Sequence, residues 1–289
     1  MCVTCGCSDD AESKITNPET GEVVAMNSHE HHTHTHTLAD GTVITHSHSH
    51  EHHSNNATEV AQIHAKMHGN TVTLEEKILA KNDLIAAQNR GWFKGRNILA
   101  LNLVSSPGSG KTTLLTRTIN DLKEKFPIYV IEGDQETSND AQKIQETGCK
   151  VVQINTGTGC HLEAAMVERG LQQLNPPLNS IVMIENVGNL VCPALFDLGE
   201  KAKVAILSVT EGEDKPIKYP HMFRASEVMI ITKIDLLPYV QFDVNRCIEY
   251  AKQVNPKMQI FQVSATTGVG LESWYEWIAV NVPSLAVQI

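Results

Sequence analysis

Three cysteines fall within the first seven residues, as Cys2-x-x-Cys5-Gly-Cys7. Thiolates suit soft and borderline transition metals. Gly6 lets the backbone fold tightly between two of them, and the terminal amine is close enough to join as a ligand. Ten of the fourteen histidines follow within 25 residues: His29, His31, His32, His34, His36, His46, His48, His50, His52 and His53. Neutral imidazole dominates near pH 7 and binds nickel, zinc and copper. Spaced by Thr, Ser and Glu, the tract has the chemistry of a flexible metal buffer with many weak sites. A third constellation is divided between Thr158-Gly-Cys160-His161 and Val191-Cys192-Pro193. Two thiolates and one imidazole leave tetrahedral zinc or square-planar nickel short of ligands, so a second subunit or water must complete it. Each constellation has a plainer counterpart: a redox-active tip, an expression tag, or small core cysteines.

The second chemistry is that of phosphate. Ser105-Ser-Pro-Gly-Ser-Gly-Lys-Thr-Thr113 stands between an apolar run and a helical stretch. A strand, a glycine-rich loop and a helix form the context of a phosphate loop. Gly108, Ser109, Gly110, Lys111, Thr112 and Thr113 would surround the phosphates, with Lys111 reaching the β/γ-phosphates and Thr112 binding Mg²⁺. Ser105 replaces the usual first glycine. Downstream, Thr232-Lys233-Ile-Asp235 is like the Asn-Lys-x-Asp motif of GTPases, with Thr for Asn. A carboxylate at Asp235 accepts both guanine N1–H and the 2-amino group, which adenine lacks. Ser264-Ala265, at the end of a later apolar run, resembles the Ser-Ala element of GTPases that contacts the guanine carbonyl. Asp134 and Glu185 end apolar runs and are placed to serve Mg²⁺, and Asp140 is a candidate for positioning the attacking water.

These side chains need a scaffold. Seven apolar runs of strand length, at 98–104, 128–132, 150–154, 180–184, 203–209, 227–232 and 259–263, alternate with helical stretches near 112–125, 138–147, 162–174, 244–254 and 271–280. The pattern predicts an α/β fold, a mostly parallel sheet covered by helices on both faces. Thr73-Leu-Glu-Glu76 fits a capping box that would open an amphipathic helix packed on this domain. Residues 1–70 are polar, rich in histidine and nearly free of aromatics, and are expected to form a flexible metal-binding extension to a GTPase domain at 71–289. Short patches at 21–25 and 40–45 have weak strand character.

Composition excludes other classes. A formal charge of −10 makes the whole chain a poor electrostatic binder of nucleic acid or anionic membrane. No run approaches the ~20 apolar residues of a membrane span. The first residues lack an apolar signal region. Seven cysteines, an odd number, suit a reducing cytoplasm.

Met-Cys2-x-x-Cys5-Gly-Cys7, SSPGSGKTT, Gly-Cys160-His161, ENVGNLVCPA and TKIDLLPY together resemble the HypB family, the nickel-incorporation GTPases of hydrogenase maturation. The resemblance covers residues 71–289 and the N-terminal cysteine motif. It implies a fold related to the signal-recognition and MinD-type GTPases and a GTP-dependent homodimer whose surface includes Leu236 and Leu237; slow GTP hydrolysis is expected because the sequence shows no obvious arginine finger. It implies nickel at Cys2, Cys5 and Cys7, and a second nickel or zinc site at Cys160, His161 and Cys192. A small nickel- and zinc-binding accessory protein and the hydrogenase large-subunit precursor are the implied partners. Three readings compete on the same residues: a nickel store in which nucleotide is only structural, a P-loop small-molecule kinase, against which Thr232-Lys-Ile-Asp235 argues, and a urease-type nickel GTPase.

Overall fold

The computed structural model describes residues 14–16, 23–25, 36–37, 43–44, 57–135 and 139–283. Cys2, Cys5, Cys7, His29, His31, His32, His34, His46, His48, His50, His52 and His53 lie outside the described residues, and His36 enters only as strand backbone.

The chain begins with four short strands, β1 (Lys14–Thr16), β2 (Val23–Ala25), β3 (His36–Thr37) and β4 (Val43–Ile44), followed by helix α1 (Ala57–Gly95). The main domain then runs β5 (Leu99–Ser105), α2 (Lys111–Leu122), β6 (Ile128–Asp134), α3 (Asn139–Gln145), β7 (Lys150–Asn155), α4 (Ala164–Leu174) and β8 (Ile181–Glu185). It continues through β9 (Ala202–Ser208), α5 (Lys215–Lys218), α6 (Pro220–Arg224), β10 (Val228–Thr232), α7 (Val244–Val254), β11 (Gln259–Gln262) and α8 (Leu271–Asn281). Single 3-10 turns occupy Cys192–Ala194 and Ile234–Tyr239. All seven expected strands of the main domain form, and α5 and α6 are too short for helical periodicity to have marked them.

The sheet order is β11-β10-β9-β5-β8-β6-β7-β1-β2. The seven strands from β11 to β7 are mutually parallel, and β1 joins the β7 edge antiparallel, with β2 beyond it. β3 and β4 pair separately. Burial explains the near-continuous apolar runs. Leu99, Leu101 and Leu103 of β5 pack with α2, α3 and α8 on one face. On the other, Ala100 packs with Phe93 of α1 and with α4, while Val104 packs with α6 and α7. A chain with one strand and one helix in alternation reaches this arrangement through right-handed crossovers.

α1 corrects the expected helix start. Thr73 lies inside the helix, because 57–67 supplies good helix formers at Ala57, Glu59, Ala61, Gln62, Ala65, Lys66 and Met67 and no proline interrupts 57–72. Residue 70, where the composition changes, is also inside it. The described part of this helix is tied to the domain by polar contacts. Asn82 accepts from Ala164 N (2.9 Å) and donates to Asp197 O (2.8 Å). Asn89 donates to Ala164 O (2.9 Å) and Leu198 O (3.1 Å), and Arg90 pairs with Asp197. No described helix is long and apolar enough to cross a membrane.

Asn89 is 3% exposed and bridges the first residue of α4 and the loop before β9. Asn89→Ala removes the donor from two carbonyls, and a loss of about 2 kcal/mol is expected. Urea unfolding of both proteins measures it.

Candidate nucleotide and metal centre

The loop between β5 and α2 passes through Gly108 (φ 75°) and Gly110 (φ 93°). A side chain at either position would be strained in this left-handed region. Gly110 immediately precedes α2, so the N–H groups of the first helical turn are free of intrahelical acceptors. Residues 107–113 line a cavity of about 500 Å³. Partial positive charge at this helix end favours phosphate. Ser105 is buried as the last residue of β5, and its hydroxyl donates to Ser106 O (2.7 Å). Gly188 comes so close to Pro107 that an added Cβ would stand 3.1 Å from its nitrogen. The Glu185-x-x-Gly188 segment therefore lies directly against the phosphate loop.

Strand ends β6 and β8 supply carboxylates to the same cavity. Thr112 Oγ1 donates to Glu185 Oε1 at 2.7 Å. Burial raises the Glu185 carboxyl above its ordinary range, opposed by Lys111 and the Thr112 hydrogen bond. Asp134 and Asp140 line the cavity, and Lys143 pairs with Asp140 at 2.8 Å. Glu132 is a further member that the sequence reading missed. It is 2% exposed, and its Oε2 makes no hydrogen bond. Burial, then repulsion from Glu185, Asp134 and Asp140, pushes its carboxyl up to about 9, with Lys111 opposing. The signal was present: Glu132 and Asp134 are two apart on β6 and share a face. Lys143 and Lys215 were also passed over, and Lys215 Nζ lies 3.2 Å from Ser106 Oγ.

On the base side, Thr232 is 3% exposed, and its hydroxyl donates to Ser109 O (2.7 Å). It braces the phosphate loop from the position that the Asn-Lys-x-Asp motif gives to asparagine. Lys233 donates to Gly108 O (2.7 Å) and lies over the loop. Asp235 follows in the 3-10 turn, half-buried. Ser264 is buried and its Oγ accepts from Thr267 N (3.1 Å), while Ala265 O accepts from Arg117 of α2 (3.0 Å). The structure brings Thr232 and Lys233 onto the phosphate loop. Asp235, Ser264 and Ala265 stand outside the residues lining the cavity.

The divided metal constellation comes together. Cys160 Sγ is 2.9 Å from Cys192 Sγ and 3.7 Å from His161 Nδ1. One ligand atom from each of the three residues falls within 4.8 Å of the others, the only such group of histidine, cysteine and carboxylate ligands among the described residues. The His161 side chain is 11% exposed, and its ring lies against Phe196 with centroids 3.9 Å apart. Burial lowers its pKa to about 4, so the imidazole is neutral at pH 7 with a lone pair for metal. Cys192 is 1% exposed, yet Val191 and Leu195 beside it are 55% and 52% exposed. Leu236 and Leu237 are half-buried.

Residues 99–262 match the family model described as CobW/HypB/UreG, nucleotide-binding domain. The chain is 56% identical to the hydrogenase maturation factor HypB of Rhizobium leguminosarum bv. viciae over 217 residues, 75% of this chain and 73% of that protein. It is 43% identical to HypB of Cupriavidus necator over 318 aligned positions, 96% of this chain and 88% of that protein. Among solved structures, HypB from Helicobacter pylori in complex with nickel is 37% identical with a TM-score of 0.65, over 71% of this chain and 98% of that one.

Glu132 gives a pH test in the protein free of nucleotide and metal. Its folded-state pKa of about 9 lies above the ordinary glutamate value of 4.5, so its favourable share of stability is complete below 4.5 and is lost as pH rises toward 9. Glu132→Gln lacks that loss. Urea unfolding is expected to show the variant more stable than wild type by roughly 5 kcal/mol at pH 8 and nearly equal at pH 4.5.

Proposed function

The chain belongs to the CobW/HypB/UreG family and, within it, to the HypB hydrogenase maturation factors, and from that premise we propose that it hydrolyses GTP and uses nucleotide state to gate the release of nickel for [NiFe]-hydrogenase maturation. The observation that carries this reading is one stretch of chain. Glu185, hydrogen-bonded to Thr112 of the phosphate loop, and Cys192, 2.9 Å from Cys160, lie seven residues apart.

GTP would lie with its β/γ-phosphates against the N–H groups of 108–113 and Lys111, and with guanine N1–H and 2-amino groups on Asp235. Backbone N–H groups near Ser264 and Ala265 would face the guanine carbonyl. Thr112, Asp134 and Glu185 form an all-oxygen donor set in which Glu185 Oε2 is buried without a hydrogen bond, which fits a hard divalent cation. They would hold Mg²⁺, which when bound supplies neutralisation of charge on the phosphate oxygens. Asp140 is assigned to orient the attacking water. Attack on the γ-phosphorus breaks its bond to the bridging oxygen and leaves GDP and inorganic phosphate. No arginine of this chain lines the cavity among the described residues, which accords with slow turnover.

Nickel is the cargo. Cys160, His161 and Cys192 provide three ligands, one short of the usual four. The exposed Val191 and Leu195 suit a second copy of the chain, whose own cysteines would complete the coordination in a GTP-favoured homodimer. Zinc fits the same donors. Cys2, Cys5 and Cys7 would hold a second nickel, and the histidine tract would buffer more. The accessory nickel and zinc protein and the hydrogenase large-subunit precursor are the partners in transfer, in the cytoplasm, where thiols remain reduced.

Two variants test the assignment together. Lys111→Ala is expected to lower GTP hydrolysis at least ~100-fold, the range seen when a transition-state cation or donor is removed. Cys160→Ser is expected to remove one nickel site, read by equilibrium dialysis, and to leave GDP affinity unchanged. A Lys111→Ala protein that hydrolyses GTP normally would refute the GTPase assignment. An unchanged nickel stoichiometry in Cys160→Ser would refute the metal assignment.

A further inference from the structure

The segment between Glu185 and Cys192 carries two asparagines that cross to the other arm of the metal site. Asn186 is 1% exposed. Its backbone N–H donates to Leu103 O of β5 (3.0 Å). Its Oδ1 accepts from Leu162 N (3.1 Å), the residue directly after His161, and from Val187 N (3.0 Å). Two backbone donors on one atom fix the amide orientation, so Nδ2 must donate. It does, to Asn102 Oδ1 at 3.2 Å. Asn102 Nδ2 then donates to Glu200 Oε1 (3.0 Å), and Glu200 Oε2 accepts from Leu198 N (2.7 Å). Lys203, also in this buried group, donates to Pro193 O (2.7 Å) and Phe196 O (3.2 Å). Asn189 adds a second crossing: its Nδ2 donates to Cys160 O (3.3 Å), while its Oδ1 accepts from Val191 N (2.8 Å).

The network thus holds 160–162 on one side and 193–198 on the other, and its hub adjoins the carboxylate bonded to Thr112. Buried hydrogen-bonded networks of this kind have few alternative arrangements, because each unmade bond costs about 1–3 kcal/mol. A shift of Glu185 cannot leave Asn186 in place without straining the chain between them, and Asn186 is bonded to the backbone that follows His161.

We propose that Asn186 and Asn189 are the positioning residues that couple the γ-phosphate end of the nucleotide cavity to the Cys160–His161–Cys192 site. Glu185 and Asn186 move as one unit; Asn186 and Asn189 drag the Cys160–His161 arm relative to Cys192, which changes the distances that the metal sees. The inference rests on the reading that nucleotide state gates the metal. It adds the residues through which the gate works.

The test is a ratio. Nickel affinity of the full chain is measured with GDP and with a non-hydrolysable GTP analogue, both with magnesium. The Cys160→Ser chain, run in parallel, supplies the signal of the other sites for subtraction. In the wild type the two dissociation constants are expected to differ at least ~5-fold, the lower end of ordinary allosteric coupling. In Asn186→Ala the ratio is expected to fall below about twofold, whatever happens to the absolute affinities. A residue that only stabilised the fold would shift both constants and keep their ratio. GDP binding and thermal melting report whether Asn186→Ala folds; if it does not, the same ratio read on Asn189→Ala decides. A wild-type ratio retained in the folded variant overturns the assignment of these residues and leaves gating intact. A wild-type ratio near one overturns the gating reading itself, and the assignment with it.

Discussion

A carboxylate held out of water at the end of a parallel strand governs this molecule. Glu185 is 3% exposed and receives a 2.7 Å hydrogen bond from Thr112. A buried carboxylate requires a donor or a cation, and here both requirements point toward the phosphate loop. The sheet order puts β8 beside β5, so the strand that ends in Glu185 is hydrogen-bonded to the strand that feeds the loop. Glu132 on β6, next along the sheet, faces the same cavity and concentrates acid there. Phosphates alone would be repelled by this cluster. A divalent cation between the two reconciles them, which is the electrostatic logic of a site built for a metal–nucleotide complex.

From that end the chain has only seven residues in which to reach Cys192, and it spends them in contact with its neighbours. Gly188 presses on Pro107, Asn186 and Asn189 bond to the Cys160 arm, and Val191 is left exposed beside the buried thiol. A site made from two arms is sensitive to small relative shifts, since metal–ligand bonds tolerate only tenths of an ångström. Packed and hydrogen-bonded segments change between discrete arrangements rather than bending continuously. With Glu185 and Cys192 in the roles proposed above, their place on one short segment is a physical basis for linkage between nucleotide and nickel. α1 braces the arrangement from outside, with Asn82 and Asn89 each bonded to both arms.

Much of this was legible in the residues. Near-continuous apolar runs marked all seven parallel strands, because strands covered on both faces have no polar side to reveal. Gly110-Lys111-Thr112 and Cys160-His161 were visible because their chemistry is local in sequence. Joining Cys160 to Cys192 was also legible, since each follows the carboxyl-terminal end of a parallel strand. Glu132 was hidden as the last residue of an apolar run, where alternation along the strand, rather than composition, identifies it. Asn186 and Asn189 stand in the ENVGNLVCPA motif, but nothing in their residue type, or in that of Asn102, says what they bond; their role exists only through contacts across 24 to 84 residues of chain. Thr73 misled because a good capping sequence can also sit inside a helix that begins earlier.

The most direct test of nucleotide-gated metal transfer is the rate at which nickel leaves the full-length protein for a chelator. It would be followed by stopped-flow absorbance with GDP, with GTP and with a non-hydrolysable GTP analogue. The account predicts that the analogue and GDP give clearly different rates, with GTP moving from one to the other as it is hydrolysed. Three equal rates would contradict it, and would leave the protein as a nickel store beside an independent GTPase site.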